Sequence, residues 1–134
     1  MDCLCQGGRA VITERNSKKG CAFSVDIAET PAQQERGLMF RKKMNDFEGM
    51  FFIFGGDEVR YFWMRNTLIP LDIIFIDSSF VIVHVHRNAK PLDETLISSR
   101  KPARYVLEIN AGKADACRIE PGGRVRFTRS PAGQ

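Results

Sequence analysis

Residues 61–67 bring aromatic, cationic and amide side chains together in one short segment. Trp63 and Arg65 lie two positions apart, so in an extended strand their side chains share a face. An aromatic ring beside a guanidinium can hold a sugar or an aromatic ligand through stacking and cation–π contacts. The alternative is structural: Trp63 fills the core, and Arg65 pairs with a carboxylate such as Asp72 or Glu108. Both alternatives remain open from the sequence.

Asp72 interrupts an apolar segment, and its neighbours include further polar candidates. A buried carboxylate costs several kcal/mol unless it is paired. Pairing with Arg65 or Arg36 would make Asp72 either a structural clamp or the polar floor of a pocket. Asn66 precedes the turn that ends at Pro70, where asparagine side chains commonly bond to amides of their own turn. Asn66 is therefore a ligand-binding candidate with a structural alternative.

An enzymatic hypothesis uses the same polar residues. Asp72 or Glu108 would act as acid or base, and Arg65 would stabilise developing negative charge in a hydrolase or lyase. Ser98 lies near the end of a polar segment, but the Gly-x-Ser-x-Gly nucleophile motif does not surround it. The chain also lacks a phosphate-binding loop, a dinucleotide fingerprint and a His-Glu-x-x-His zinc motif. We therefore predict no cofactor.

His84 and His86 are the two histidines of the chain, and their spacing in a strand places both imidazoles on one face. A cupin-like His-x-His metal site also needs a glutamate four or five residues later and a third histidine. Lys90 and Pro91 occupy the expected glutamate positions. The two histidines are thus secondary metal candidates, and the alternative is a pair of exposed or edge-strand side chains.

The four cysteines do not follow the spacing of a small disulfide-stapled domain. Cys3 and Cys5 lie in an N-terminal tail, Cys21 begins a predicted strand, and Cys117 lies far along the chain. A Cys-x-Cys pair binds a soft metal only with further ligands, and the chain has no second pair. We interpret all four as incidental thiols.

Hydrophobic alternation and turn residues predict the elements that would position these groups. Thr30, Pro31 and Gln33 form a capping box that begins a helix, and the two glycines at 55–56 suggest a hairpin turn. The predicted strands cover 21–28, 50–54, 59–65, 71–77, 80–86, 104–109 and 124–128, with a helix at 31–41, a helical turn near 111–117 and a long loop over 87–100. This pattern indicates a mainly β fold, a sandwich or a jelly-roll-like, partly closed barrel.

The domain organisation follows from the length of 134 residues. We expect a flexible N-terminal segment at 1–19 that includes a first strand, a single β-rich domain at 20–130, and a tail at 131–134. Apolar segments are too short to span a bilayer. The first residues lack the features of a signal peptide. The chain is therefore cytoplasmic, or periplasmic or exported if a leader has been removed.

The net charge of +4 raises the question of nucleic-acid binding. Residues 100–134 contain eight basic and three acidic residues, so the positive charge is concentrated there. The aromatic residues in that region, Tyr105 and Phe127, fall at positions that alternation assigns to the core. We interpret the basic region as a solvated face and do not predict a nucleic-acid partner.

Several segments, taken together, resemble the uncharacterised bacterial and archaeal family known as domain of unknown function 192. The resemblance spans about residues 20–129 and rests on segments that recur in the same order with similar spacing. These segments are 36–41, 49–50, 62–67, 70–77, 98–99 and 102–112.

The resemblance implies a single mainly β, jelly-roll-like domain, often made with an N-terminal leader and exported or membrane-anchored. It implies no established activity, and the family pattern does not include the two histidines. The matching polar residues are Arg36, Arg65, Asn66, Asp72, Ser98, Glu108 and Asn110. With Trp63, they are our candidate ligand-binding residues. The leading hypothesis is a non-catalytic binding or accessory domain for a small polar ligand or a partner segment.

Overall fold

Seven strands and two short helices make up residues 6–130, the part of the chain that this computed structural model describes. The elements are β1 Gly7–Thr13, β2 Gly20–Ala28, α1 Pro31–Arg36, β3 Glu48–Phe62, β4 Leu71–Ile76, β5 Ile82–Ala89, β6 Ile97–Asn110, α2 Lys113–Ala116 and β7 Arg124–Arg129. The predicted mainly β fold is confirmed. β1 supplies the first strand that the sequence allowed in the N-terminal segment. Positions 1–5 and the predicted tail at 131–134 lie outside the described residues.

The strands form one sheet in the order β5-β4-β6-β3-β2-β1-β7. Neighbouring strands are antiparallel except for β2 and β3, which run parallel because α1 and its following loop carry the chain back between them. The sheet is not closed into a barrel. A short link joins its two ends, where Val81 bridges Arg124 and the Ile82 amide donates to the Gly123 carbonyl.

The sheet is buried on both faces, and each face has its own core. On the Phe51 side the core includes Leu107 and Ile109 of β6, together with residues of β1, β2, β7 and the α2 region. On the Phe52 side the core includes Val106 of β6 and Leu38, which follows α1. All six residues of β4 are buried, which explains why that strand is continuously apolar apart from one aspartate.

β3 is a single long strand, so the predicted hairpin at Gly55 and Gly56 is wrong. Both halves of β3 pair with β6, and the register shifts between the Ile53 and Glu58 pairings. The intervening residues outnumber those opposite them on β6, so the glycines form a bulge instead of a turn. A bulge and a hairpin share the same local glycine signal, and only the non-local partner strand distinguishes them.

The capping box at the start of α1 is present as predicted. The Thr30 hydroxyl accepts from the Gln33 amide, and the Gln33 side chain accepts from the Thr30 amide. The helix ends at Arg36, five residues earlier than predicted, because Gly37 adopts φ 49°, in the region that favours glycine. The predicted loop over 87–100 is also shorter, since β5 extends to Ala89 and β6 begins at Ile97.

Cys21 and Cys117 form a disulfide bond, so their interpretation as incidental thiols is wrong. The bond joins β2 to the residue that follows α2, and both cysteines pack in or against the Phe51-side core. A sequence separation of 96 residues hid the pair, because only the sheet topology brings these segments together. Cys3 and Cys5 lie outside the described residues.

We expect removal of this disulfide to lower the free energy of unfolding by about 2–4 kcal/mol, because a cross-link between distant positions restricts the unfolded chain. The measurement is urea unfolding of the Cys21→Ser/Cys117→Ser variant and of the wild type with and without a reductant. An unchanged unfolding midpoint after verified reduction of the wild type would contradict a stabilising role for the bond.

Candidate functional site

A cavity of about 250 Å³ lies on the Phe52 side of the sheet, between the end of α1 and strands β3 and β6. Aromatic rings and the α1 segment form most of its walls, and one carboxyl group comes from β6. We call it the Glu108 cavity. Its lining residues are Gln34, Glu35, Arg36, Gly37, Leu38, Met39, Phe52, Phe54, Tyr61, Phe62, Trp63, Thr67 and Glu108.

Glu108 occupies a buried position on β6 whose neighbours are apolar. It pairs with Met50 of β3 and Ile73 of β4, which are fully buried members of the Phe52-side core. Glu108 itself is 4% exposed. Gly37 packs close to it, since a Cβ at Gly37 would lie 3.8 Å from Glu108 Oε1. The carboxyl group is thus enclosed by two neighbouring strands and the end of α1.

The Glu108 carboxyl faces the cavity without a protein partner. Within residues 6–130, no hydrogen bond or ion pair joins it to another group, and burial alone shifts its pKa. Every fully enclosed side-chain oxygen or nitrogen in that range has a hydrogen-bond partner. The unpartnered Glu108 oxygens must therefore be reached from the cavity.

Burial raises the pKa of the Glu108 carboxyl from 4.5 to about 8, because a charged carboxylate is poorly solvated there. The group is consequently neutral at pH 7 and can both donate and accept a hydrogen bond. Strongly shifted carboxyl groups in clefts are concentrated at functional sites.

A second hollow of about 320 Å³ adjoins the cavity on the outer side of α1. Arg36 and Trp63 line both spaces, so the two are adjacent. Arg65 and Asn66 line only the outer hollow, which we call the Trp63 groove. Trp63 is 38% exposed, and the Arg65 guanidinium lies 5.4 Å from the centroid of its ring. The predicted pair of an aromatic ring and a guanidinium is therefore formed at the surface, beside the cavity.

Two segments that contain residues with positive φ meet beside the groove. The Phe40 amide donates to the Asn66 carbonyl, which ties the segment after α1 to the segment after β3. Phe40 has φ 68° and Asn66 has φ 53°. Such angles are uncommon for residues other than glycine, and they tend to occur at functional sites. The Asn66 carbonyl thus has a structural role, and Asn66 also lines the Trp63 groove.

Asp72 lies on the opposite side of the sheet from Glu108 and has only backbone partners. Its Oδ1 accepts from the Asn88 amide at 2.8 Å, and its Oδ2 accepts from the Gly112 and Ala114 amides at 3.0 and 2.9 Å. The predicted pairing with Arg65 or Arg36 is wrong, because the β5 amide and the amides around the start of α2 reach the carboxylate instead. Asp72 lines neither the cavity nor the groove.

Asn110 and Ser98 also lie away from the Glu108 cavity. The Asn110 Nδ2 donates to the Met44 carbonyl at 2.7 Å, which anchors the loop between α1 and β3. The Ser98 Oγ accepts from the Arg100 amide at 2.9 Å within its own turn. Ser98 borders a separate hollow that also contains the two histidines.

His84 and His86 do not form a recognisable metal centre. Burial lowers the pKa of both imidazoles, and the nearby charge of Arg100 lowers it further. His84 stacks on Phe75, with 5.9 Å between ring centroids. In the described residues, no group of three or more His, Cys, Asp or Glu side chains is arranged to hold a metal ion.

Most of the cavity walls, including Phe52, Phe54 and Gly37, were not predicted from the sequence. Glu108 was predicted only as one of several polar candidates. The available signal was Val106, an apolar residue two positions before Glu108 that predicts burial for the face they share. Only the covering α1 segment, which is remote in sequence, turns that buried position into a cavity.

The model of DUF192, described as an uncharacterised ACR family, matches residues 11–127. The chain belongs to this family. The resemblance to DUF192 predicted from the sequence motifs is thus confirmed. A search of curated proteins gives no match.

Two solved structures extend the comparison of this DUF192 chain. A candidate transcription regulator from Sinorhizobium meliloti 1021 is 37% identical, with a TM-score of 0.90 and coverage of 95% of this chain and 98% of its own. A protein of unknown function from Novosphingobium aromaticivorans DSM 12444 is 40% identical, with a TM-score of 0.82 and coverage of 88% and 83%. Neither helix in residues 6–130 has the length and apolar character needed to cross a membrane.

Glu108 generates a prediction about stability and pH. The folded chain keeps the Glu108 proton up to about pH 8, whereas the ordinary pKa is 4.5. Folding therefore takes up a proton between these values, and the free energy of unfolding falls as pH rises, by at most about 1.4 kcal/mol per pH unit from this group. We expect Glu108→Gln to remove this slope in urea unfolding at pH 5.5, 7 and 8.5. Exposed Glu94→Gln is the matched control, and equal slopes for the wild type and Glu108→Gln would refute the assignment.

Asp72 generates a prediction about stability alone. We expect Asp72→Ala to lower the free energy of unfolding by about 3 kcal/mol or more, because three backbone amides lose the buried carboxylate that accepts from them. Asp72→Asn keeps one carbonyl oxygen and should cost less. Urea unfolding measures both effects, and a loss below about 1 kcal/mol for the alanine variant would show that water replaces the carboxylate easily.

Proposed function

We propose that this chain is a ligand-binding protein whose site is the Glu108 cavity and the adjoining Trp63 groove, and that its ligand is a small polar molecule. The observation that carries the proposal is the buried Glu108 carboxyl, which faces an open cavity without a protein partner. Buried polar groups in proteins are almost always hydrogen-bonded, and leaving one unpaired costs free energy. A ligand that bonds to Glu108 would offset that cost.

The composition of the walls supports a ligand of mixed character. Phe52, Phe54 and Trp63 offer apolar ring surface, while Arg36 and Glu108 offer polar groups from two sides. Ligand sites typically combine mainly apolar walls with a few convergent polar groups that fix orientation. The adjoining groove adds the exposed ring of Trp63 to the surface that a ligand could contact.

The disulfide supports a location for this binding function. Cys21 and Cys117 are joined in the folded chain, and such bonds persist mainly in oxidising compartments. The proposal therefore includes a periplasmic or exported protein. The alternative, a cytoplasmic protein, would leave both thiols reduced in cells, and thiol alkylation of freshly lysed cells distinguishes the two states.

We do not extend the description of the Sinorhizobium meliloti relative to this chain. Proteins that recognise a DNA sequence in the major groove commonly place a recognition helix there. The helices in residues 6–130, Pro31–Arg36 and Lys113–Ala116, have six and four residues. Neither offers the length of a typical recognition helix.

A second candidate function is catalysis, and one observation favours it. Burial raises the pKa of Glu108 to about 8, so the neutral carboxyl could serve as a general acid at pH 7. Glu35, an exposed residue that lines the same cavity, offers a carboxylate in a different environment. In this candidate, a hydrolase or lyase, Arg36 would stabilise negative charge on the substrate.

The binding proposal is tested by a ligand panel of saccharides, organic acids, amines and nucleotides. A ligand at about 100 times its Kd stabilises the fold by about 2.7 kcal/mol, which raises Tm by several degrees. Trp63 is the single tryptophan and lines the site, so its fluorescence reports binding directly. We expect a hit to shift Tm and to change this fluorescence.

Variants decide whether a hit occupies the proposed site. We expect Glu108→Leu to fold, because leucine suits a buried apolar face, and to lose the Tm shift. Trp63→Ala should weaken the shift, and the distant exposed variant Glu94→Gln should retain it. The absence of any hit, or a shift that survives in Glu108→Leu, would refute the proposal. Conversion of a hit to a product, with turnover lost in Glu108→Gln, would favour the catalytic candidate.

A further inference from the structure

We propose that the ligand of the Glu108 cavity is a small organic acid with an apolar body, whose carboxylate is held by Glu108 and Arg36. This inference rests on the proposed function and deepens it by naming the ligand class. Glu108 and Arg36 line the same cavity, one from β6 and the other from the last residue of α1. They would therefore approach a bound carboxylate from different walls.

The hydrogen-bonding capacity of Glu108 favours an anionic partner. A neutral carboxyl group has one O–H donor, whereas a ligand carboxylate has acceptors alone. A hydrogen bond from a neutral acid to a carboxylate is charge-assisted and short, and so is stronger than a bond between neutral groups. An ionised Glu108 would instead repel the ligand, so the protein must keep the proton on Glu108 for this mode of binding.

The charges around the cavity also favour an anion over a cation. Arg36 and Glu35 line the cavity, whereas Arg60 and Arg104 contact Phe54 without lining it, and Arg60 is also paired with Glu58. Arg65 extends the positive charge into the groove. With Glu108 neutral, Arg36 and Arg65 outnumber Glu35 among the charged residues of the cavity and the groove, so the local charge favours a carboxylate over an ammonium group.

The aromatic walls of the cavity favour a ligand with an apolar body. The rings of Phe52 and Phe54 are parallel and Phe62 is nearly perpendicular to both, with centroid distances of 5.1–6.5 Å, and all three line the cavity. Such surfaces bury aromatic or aliphatic groups favourably. An acid with a ring or a short hydrocarbon chain therefore fits this site better than a highly hydrated polyacid.

Because the proposed contact uses the proton on Glu108, the affinity for the ligand should depend on pH. The other titratable groups that line the cavity are Glu35 and Arg36 of the α1 segment and Tyr61 of β3, while the β4 neighbour of Glu108 is Ile73. If binding needs neutral Glu108, affinity is constant below about pH 8 and falls about tenfold per pH unit above it. Binding at pH 9 then takes up nearly one proton.

The test compares three probes that share a ring and differ in charge: benzoate, benzyl alcohol and benzylamine. Binding to the full chain with its disulfide intact is measured by Trp63 fluorescence and by calorimetry, in two buffers of different ionisation enthalpy at pH 7 and pH 9. We expect benzoate to bind at least tenfold more tightly than the other two and to take up a proton at pH 9. Arg36→Gln should weaken benzoate about tenfold.

Glu108→Gln supplies the decisive variant, because glutamine keeps a neutral hydrogen-bond donor without a titrating proton. We expect it to bind benzoate with an affinity that no longer changes between pH 7 and pH 9. The exposed variant Glu94→Gln should behave as the wild type does.

Other outcomes overturn the inference in distinguishable ways. Preferred binding of benzylamine with proton release, or of benzyl alcohol without proton exchange, would refute the acid and leave the proposed binding function intact. Binding of benzoate with the same pH dependence in the wild type and in Glu108→Gln would remove Glu108 from recognition. If none of the three probes binds, the inference fails, and the broader ligand panel decides separately whether the cavity binds ligands at all.

Discussion

The structure depends on the second half of β6, residues 105–109, which is buried on both faces and paired along both edges. β3 and β4 flank it, and its alternate side chains supply two separate cores, with Leu107 on one side and Val106 on the other. Because side chains alternate strictly along a strand, a polar residue in the buried second half of β6 must enter one of these cores. Glu108 is that residue, and its position follows from the pairing of the sheet.

Asp72 and Glu108 are both buried carboxyl groups, but their surroundings differ. Asp72 accepts three backbone hydrogen bonds and anchors the approach to α2. Glu108 is almost as deeply buried but faces a cavity instead of a donor. Asp72 is therefore satisfied within the fold, whereas Glu108 stays neutral and available. This contrast separates a structural carboxylate from a candidate functional one more clearly than sequence position does.

The parts of the fold that depend on local sequence could be predicted. Thr30 and Gln33 specify the start of α1, and hydrophobic alternation located β2 and β7 to within a residue or two. The sequence predicts the contact between Arg65 and Trp63 from a strand at 59–65, but β3 ends at Phe62, so the two side chains meet in the exposed segment that follows the strand.

The errors all involve partners that are distant in sequence. The Gly55 bulge depends on β6, the Cys21 disulfide depends on a residue near α2, and the Asp72 hydrogen bonds depend on β5 and α2. Likewise, the cavity needs the α1 segment to cover β6, and Gly37 to let it approach closely. Local patterns thus indicated which residues are polar in apolar surroundings, but not which of them would remain unpartnered.

The most direct test of this account is a carbon-13 NMR titration of the Glu108 side-chain carboxyl, assigned by comparison with Glu108→Gln. The account predicts a midpoint near pH 8, because burial without a partner disfavours the charged form. A midpoint near the ordinary value of 4.5 would contradict it, since the carboxyl would then be solvated or paired and the cavity would lose its distinguishing group.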